Sequence, residues 1–217
     1  MEPQTNETKR QRVPKWLAVI LLIGGLCLII IGLLQIFGSM TSKALVNKFN
    51  EFQGPTAKTG DALTAAGTLL SGITAKEQAK DYAGVVADLQ AAATKLSDAE
   101  SAINSLISLT SEFKVLIDKN SDQNIKTAGL HFIDVSSARN TAVLKMTANT
   151  KEFINLVIPY YNGLIQGKQI TLDEAKITAI SEQLNTDSQS IAKISAELET
   201  ATQDLAKVAN FTLTKKE

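Results

Sequence analysis

The stretch YAGVVADLQAAATKLSDAESAINSLISLTSEFKVLI, Tyr82 to Ile117, decides the fold of this chain. Alternating steps of three and four residues from Tyr82 reach Val85, Leu89, Ala92, Leu96, Ala99, Ile103, Leu106, Thr110, Phe113 and Ile117. All of them except Thr110 are apolar or aromatic. Residues at this spacing share one stripe of a helix, and a stripe that stays in phase this long marks a helix packed at a shallow angle on its neighbours.

Outward from this stretch the same rhythm returns. A second seam runs through Ile177, Ile180, Leu184, Asp187, Ile191, Ile194, Leu198, Ala201, Leu205 and Val208. Thr74 with Glu77 and Thr171 with Glu174 have the spacing of capping boxes and predict where the two helices start. Between them Phe132, Val135, Val143, Met146, Phe153, Val157 and Leu164 form a looser stripe, and Pro159 is expected to kink that helix because it cannot donate to the carbonyl four residues back. Before Thr74, Leu45, Phe49, Phe52, Leu63, Ala66, Leu70 and Ile73 keep the rhythm across a break at Gly54-Pro55. The expectation is an all-α chain whose residues 38–210 form a long antiparallel up-down four-helix, coiled-coil-like bundle. Its helices should cover about 41–73, 75–119, 122–167 and 172–209, followed by a tail, 211–217.

Residues 16–37, WLAVILLIGGLCLIIIGLLQIF, carry no charge and are long enough as a helix to cross a hydrocarbon core of about 30 Å. The run exceeds the apolar region of a signal peptide and is not followed by small residues at the cleavage positions, so an uncleaved signal-anchor is expected. Lys9, Arg10, Arg12 and Lys15 precede it, against Lys43 and Lys48 in the stretch that follows. The positive-inside rule then makes 1–15 a short cytoplasmic tail and puts the bundle outside, with Trp16 as an interfacial anchor in the lipid bilayer. Gly25 and Gly32 would permit a close contact between membrane helices. A straight helix from the membrane to Ile73 would send the end of a 75–119 helix back into the bilayer with Glu112, Lys114 and Asp118. A bend near Gly38 or Gly54-Pro55 avoids this, as would a break at Ser97; the bend is preferred because the seam passes Ser97 in phase.

The chain has 22 basic and 22 acidic residues, which leaves no excess positive charge to neutralise phosphates and argues against nucleic acid as a partner. The single cysteine, Cys27, excludes an intramolecular disulfide. No hydrolase, dinucleotide, phosphate-loop or zinc motif occurs. His131 and Asp134 share a helix face, but one such pair is a poor metal site, so no metal, cofactor or enzymatic activity is expected. Asn210-Phe211-Thr212 matches a glycosylation acceptor in form only.

The polar exceptions in the stripes remain. Arg139 is the only arginine after Arg12, and helical spacing puts it at the centre of the stripe of Val135, Val143, Met146 and Val157. Reflection about Asn120–Ser121 brings it level with Ala102, within reach of Glu100, which is the expected partner in a register-setting ion pair. The alternative is a small-carboxylate site lined by Arg139, Ser136, Asn140 and the neighbours of Glu100. Asp187 should face Asn149, Thr150 and Lys151, about 20 Å along the bundle from Arg139. Phe153, Tyr160 and Tyr161 beside Pro159 read as packing.

In outline the architecture resembles the four-helix ectodomains of bacterial chemoreceptors, over the bundle and one membrane helix, with no shared residue motif. Those ectodomains return to a second membrane helix, and no second apolar run follows FTLTKKE. The leading expectation is therefore a structural or protein-interaction role in the cell envelope, with an envelope protein or a second copy as partner. A ligand-binding, sensor-type ectodomain is the alternative.

Overall fold

The computed structural model describes residues 43–209, a run of helices joined by short turns. Helix α1 spans Lys43–Glu51, α2 Gln53–Gln78, α3 Tyr82–Asp118, α4 Gln123–Ile165 and α5 Glu174–Val208. The basic tail, the apolar run with Trp16, Gly25, Cys27 and Gly32, and the sequon at Asn210 lie outside the described residues. Among the described residues no helix is long and apolar enough to cross a membrane.

Four long helices, α2 to α5, pack side by side. Ion pairs set their directions: Lys76 meets Asp88 at 2.7 Å and Lys48 meets Glu112 at 2.7 Å, so α1 and α2 run antiparallel to α3 in one register. Phe113 on Phe132 and Glu100 on Lys151 do the same for α3 and α4, as Lys176 with Glu152 and Lys145 with Asp187 do for α4 and α5. Each long helix approaches the next in sequence closely along its length, whereas α2 and α5 share no such seam.

The stripe that decided the fold is buried as predicted. Every seam position of α3 from Val85 to Ile117 is buried, Thr110 included, its hydroxyl donating to the Leu106 carbonyl at 2.7 Å. In α5 the strict alternation holds to Ile191 and then slips: Ser195, Thr202 and Ala206 turn inward while Val208 is exposed. An α-helix has 3.6 residues per turn, so a fixed 3.5-residue seam rotates away from the core by about 20° per heptad.

Helix boundaries differ from the sequence expectation in physical detail. Thr74 does not cap a helix; α2 runs through it, and the Thr74 hydroxyl is buried without a partner. The turn comes later: Asp81 N–H donates to the Lys76 carbonyl and Lys80 N–H to that of Glu77, a Schellman closure with Lys80 in the left-handed region at φ 57°. Asp81 then caps α3 by accepting from Gly84 N–H at 2.9 Å, and a Cβ at Gly84 would collide with that carboxylate. Thr171 is likewise displaced as a cap by Asp173, which accepts from Lys176 N–H. Gly167, at φ 65°, closes α4 with the same pair of bonds, Lys168 N–H to the Gly163 carbonyl and Gly167 N–H to that of Leu164. Asp122 caps α4, accepting from Asn124 and Ile125.

The break between α1 and α2 falls at Phe52, ahead of Gly54-Pro55, which leaves Pro55 in the first turn of α2, where a missing N–H costs no helical bond. Pro159 is accommodated within α4, which stays helical to Ile165. Ser97 donates back to the Ala93 carbonyl, and α3 is unbroken there. Because α3 starts at Tyr82, its far end reaches only the level of α1: Glu112 lies beside Lys48, eleven residues after Phe37.

The core falls into two clusters. One gathers Leu63, Leu70, Leu89, Ile103, Val143, Phe153, Leu184 and Ile191 with their neighbours; the other holds Phe49, Phe52, Phe113 and Phe132, with ring centroids 5.5 to 6.2 Å apart, together with Leu106, Val135 and Leu205. A polar layer separates the two.

Candidate functional site

On α4 the change from one cluster to the other, between Val135 and Val143, is occupied by Ser136, Arg139 and Asn140. All three are buried, with Arg139 4% exposed. Successive steps of three, one and three residues keep them and Val143 on one side of the helix, so the backbone that buries the flanking valines also buries the arginine. Ser195 is buried on α5, and the Asn149–Asp187 bond fixes the register that brings it level with about residue 141 of α4. Thr110 of α3 interpolates to the same height and is buried too.

The layer is short of hydrogen-bond partners. Arg139 forms no ion pair with any described residue, and its Nη2 has no hydrogen-bond partner. The Ser195 hydroxyl is also buried and unpartnered. Neither Ser136 nor Asn140 makes a side-chain hydrogen bond among the described residues. Thr110 satisfies itself on the carbonyl of Leu106. Burial without a counter-charge draws the Arg139 guanidinium down to about 10, which still leaves it cationic at neutral pH.

Glu100 is not its partner. The Glu100 carboxylate accepts from Lys151 at 2.8 Å, twelve residues along α4 from Arg139, or about 18 Å. A simple reflection about Asn120–Ser121 misplaces the register, since Phe113 meets Phe132, one turn beyond the reflected position. The faces differ as well: Glu100 sits on the flank, half-buried, where a lysine stem can reach it while its head stays near water.

Asp187, by contrast, is enclosed and satisfied. Oδ1 accepts from Lys145 at 3.0 Å and from Gln183 at 2.8 Å, and Oδ2 accepts from Asn149 at 2.7 Å. The expected neighbour Asn149 is therefore in place, while Thr150 bonds to its own helix at Met146. Lys145 and Asn149 lie six and ten residues from Arg139, so the two polar layers stand about 9 to 15 Å apart, closer than the reflection suggested.

Elsewhere, His131 and Asp134 are exposed, and among the described residues no three histidine, cysteine or carboxylate side chains gather as a metal site. At the far end of the bundle the Tyr161 hydroxyl faces Glu77, and burial raises both groups above their usual ranges. Tyr161 also stacks on Tyr82 and Tyr160 at 6.1 and 5.3 Å, so this aromatic group is packing. A shallow groove of about 590 Å³ runs between α2 and α3 past Lys58, Asp61, Lys95 and Asp98 on their outer faces and does not include the polar layer. Ser195 is the one layer residue that sequence reasoning missed. Its signal was present, because four residues after Ile191 a straight helix turns Ser195, not Ile194, towards the core.

No protein-family model, curated protein or solved structure matches this chain.

Proposed function

We propose that this chain is a membrane-anchored helical-bundle protein of the cell envelope. Residues 16–37 form a single-pass transmembrane helix with the N-terminus cytoplasmic, and the antiparallel, coiled-coil-like bundle is an extracytoplasmic module for protein interaction, with an envelope protein or a second copy of itself. What supports this reading is the level at which the helices end. The α3–α4 turn and the start of α1 share one end of the bundle, a few residues beyond the apolar run, so the bundle can stand on a membrane without drawing Glu112, Lys114 or Asp118 into it. Long helices that expose Ile107 and Val115 on α3 also offer rigid faces to a partner.

The test is alkaline extraction and external protease treatment of right-side-out membrane vesicles, with crosslinking on the same membranes. Retention in the pellet, digestion of the bundle from outside and one stoichiometric crosslinked species are expected. Release by alkali would overturn the anchor, and protection from the protease would overturn the orientation. A second reading, a ligand-binding bundle, is favoured by one observation: a buried arginine with no carboxylate to neutralise it.

A further inference from the structure

We infer that the layer between the two core clusters is a binding site for a small aliphatic monocarboxylate, gripped by the Arg139 guanidinium and lined by Ser136, Asn140 and Ser195. The inference deepens the ligand-binding reading and is independent of the membrane anchor.

Four polar side chains from two helices converge at one height of the core, all buried and all without side-chain partners. Folding withdraws the Arg139 Nη2 and the Ser195 hydroxyl from water and returns nothing to them, and an uncompensated buried charge costs several kcal/mol. A native bundle carries such a set where something else completes it. Its composition specifies what that is. One guanidinium supplies one positive charge and a planar fork of donors, which suits a planar carboxylate held by two parallel bonds. The Asn140 amide and the two serine hydroxyls can donate to the remaining lone pairs or meet a hydroxyl on the ligand. A dianion such as sulfate would bring a second negative charge into a layer with no second cation.

The body of the ligand follows from the walls. Above the layer stand Ile103, Leu106, Val143 and Ile191, and below it Phe113 and Val135, so the carbon skeleton meets apolar surface. A short chain is required, because the helices flanking the layer pack closely in sequence order. The seam between α2 and α5, where no close backbone approach closes the ring, is the widest way in.

The experiment is thermal unfolding of the full chain in detergent micelles, with acetate, propionate and butyrate titrated against chloride and sulfate at equal ionic strength. A saturable rise in Tm is expected for at least one carboxylate, about 5–10 °C at hundredfold excess over Kd, with none for chloride or sulfate. Arg139→Met should abolish the response and Arg139→Lys should weaken it. Ser136→Asp, which places a carboxylate one turn from Arg139, should raise Tm without ligand and remove the response. Calorimetric titration of propionate into the unmodified chain keeps the test open if a variant misfolds. An Arg139-dependent rise with sulfate but no carboxylate would overturn the monocarboxylate and leave the ligand-binding reading standing. No Arg139-dependent rise with any anion, and no heat with propionate, would overturn both.

Discussion

Asp187 on α5 and Arg139 on α4 are both charges set into apolar stripes, 5% and 4% exposed, and the bundle treats them differently. Asp187 has a short side chain and sits where longer ones can come to it. Lys145 reaches in while keeping its stem half in solvent, and Gln183 and Asn149 fill the remaining acceptor positions. Arg139 is the long member of its neighbourhood, and a carboxylate would have to be buried beside it to pair. The sequence supplies serines, a threonine and an asparagine at that height instead. A buried anion can therefore be neutralised from the surface by flexible cations, whereas a buried guanidinium needs an anion placed in the core by the fold or brought by a ligand.

The contrast can be broken most directly at Asp187. Asp187→Ala removes the acceptor of three bonds and should destabilise the bundle by about 2–4 kcal/mol, read from the urea midpoint. The corresponding change in the other layer should have the opposite sign. Arg139→Met, measured without ligand, should stabilise by about 1–3 kcal/mol because it removes an unpaired buried charge and adds apolar surface. A loss of stability there would mean that the guanidinium is already neutralised.

The pH dependence sharpens the same point. Burial depresses the folded-state value of Arg139 to about 10, well below the usual guanidinium range, so the unfolded chain holds the proton more tightly in the window between them. Stability contributed by this group therefore rises with pH across that window, and the advantage of Arg139→Met should shrink above pH 10. Chemical unfolding of both proteins at pH 8 and pH 10.5 measures it.

Two smaller effects complete the comparison. Ser195→Ala deletes a buried hydroxyl with no partner and should stabilise by about 1 kcal/mol. Glu100→Gln loses only a partly exposed pair with Lys151 and should cost about 0–1 kcal/mol, additively with Arg139→Met in a double-mutant cycle. A coupling of 1 kcal/mol or more between those two changes would restore the ion pair that the register argument suggested.

Much of this was legible from spacing. The seam of α3 is buried position by position, as are Leu45 to Ile73 along α1 and α2, because helical geometry alone relates those residues to one another. Arg139 was legible for the same reason: its burial follows from its phase on α4. Helix ends were less so, since Thr74 and Thr171 carry the right residue types but compete with Asp81 and Asp173, and the winner depends on where the neighbouring helix lets the chain turn.

By itself the sequence determined that the chain is helical, which face of each helix is apolar, and that a guanidinium and a carboxylate lie on those faces. These are properties of a single helix, set by a period of 3.6 residues. Only the tertiary structure decided which charge would be paired. Pairing depends on the relative height and rotation of two helices, and a shift of one turn, about 5.4 Å, exceeds the reach of a hydrogen bond. The observed heights gave Glu100 to Lys151, gathered Lys145, Asn149 and Gln183 around Asp187, and left Arg139 with Ser136, Asn140 and Ser195 in a layer that has donors and no anion.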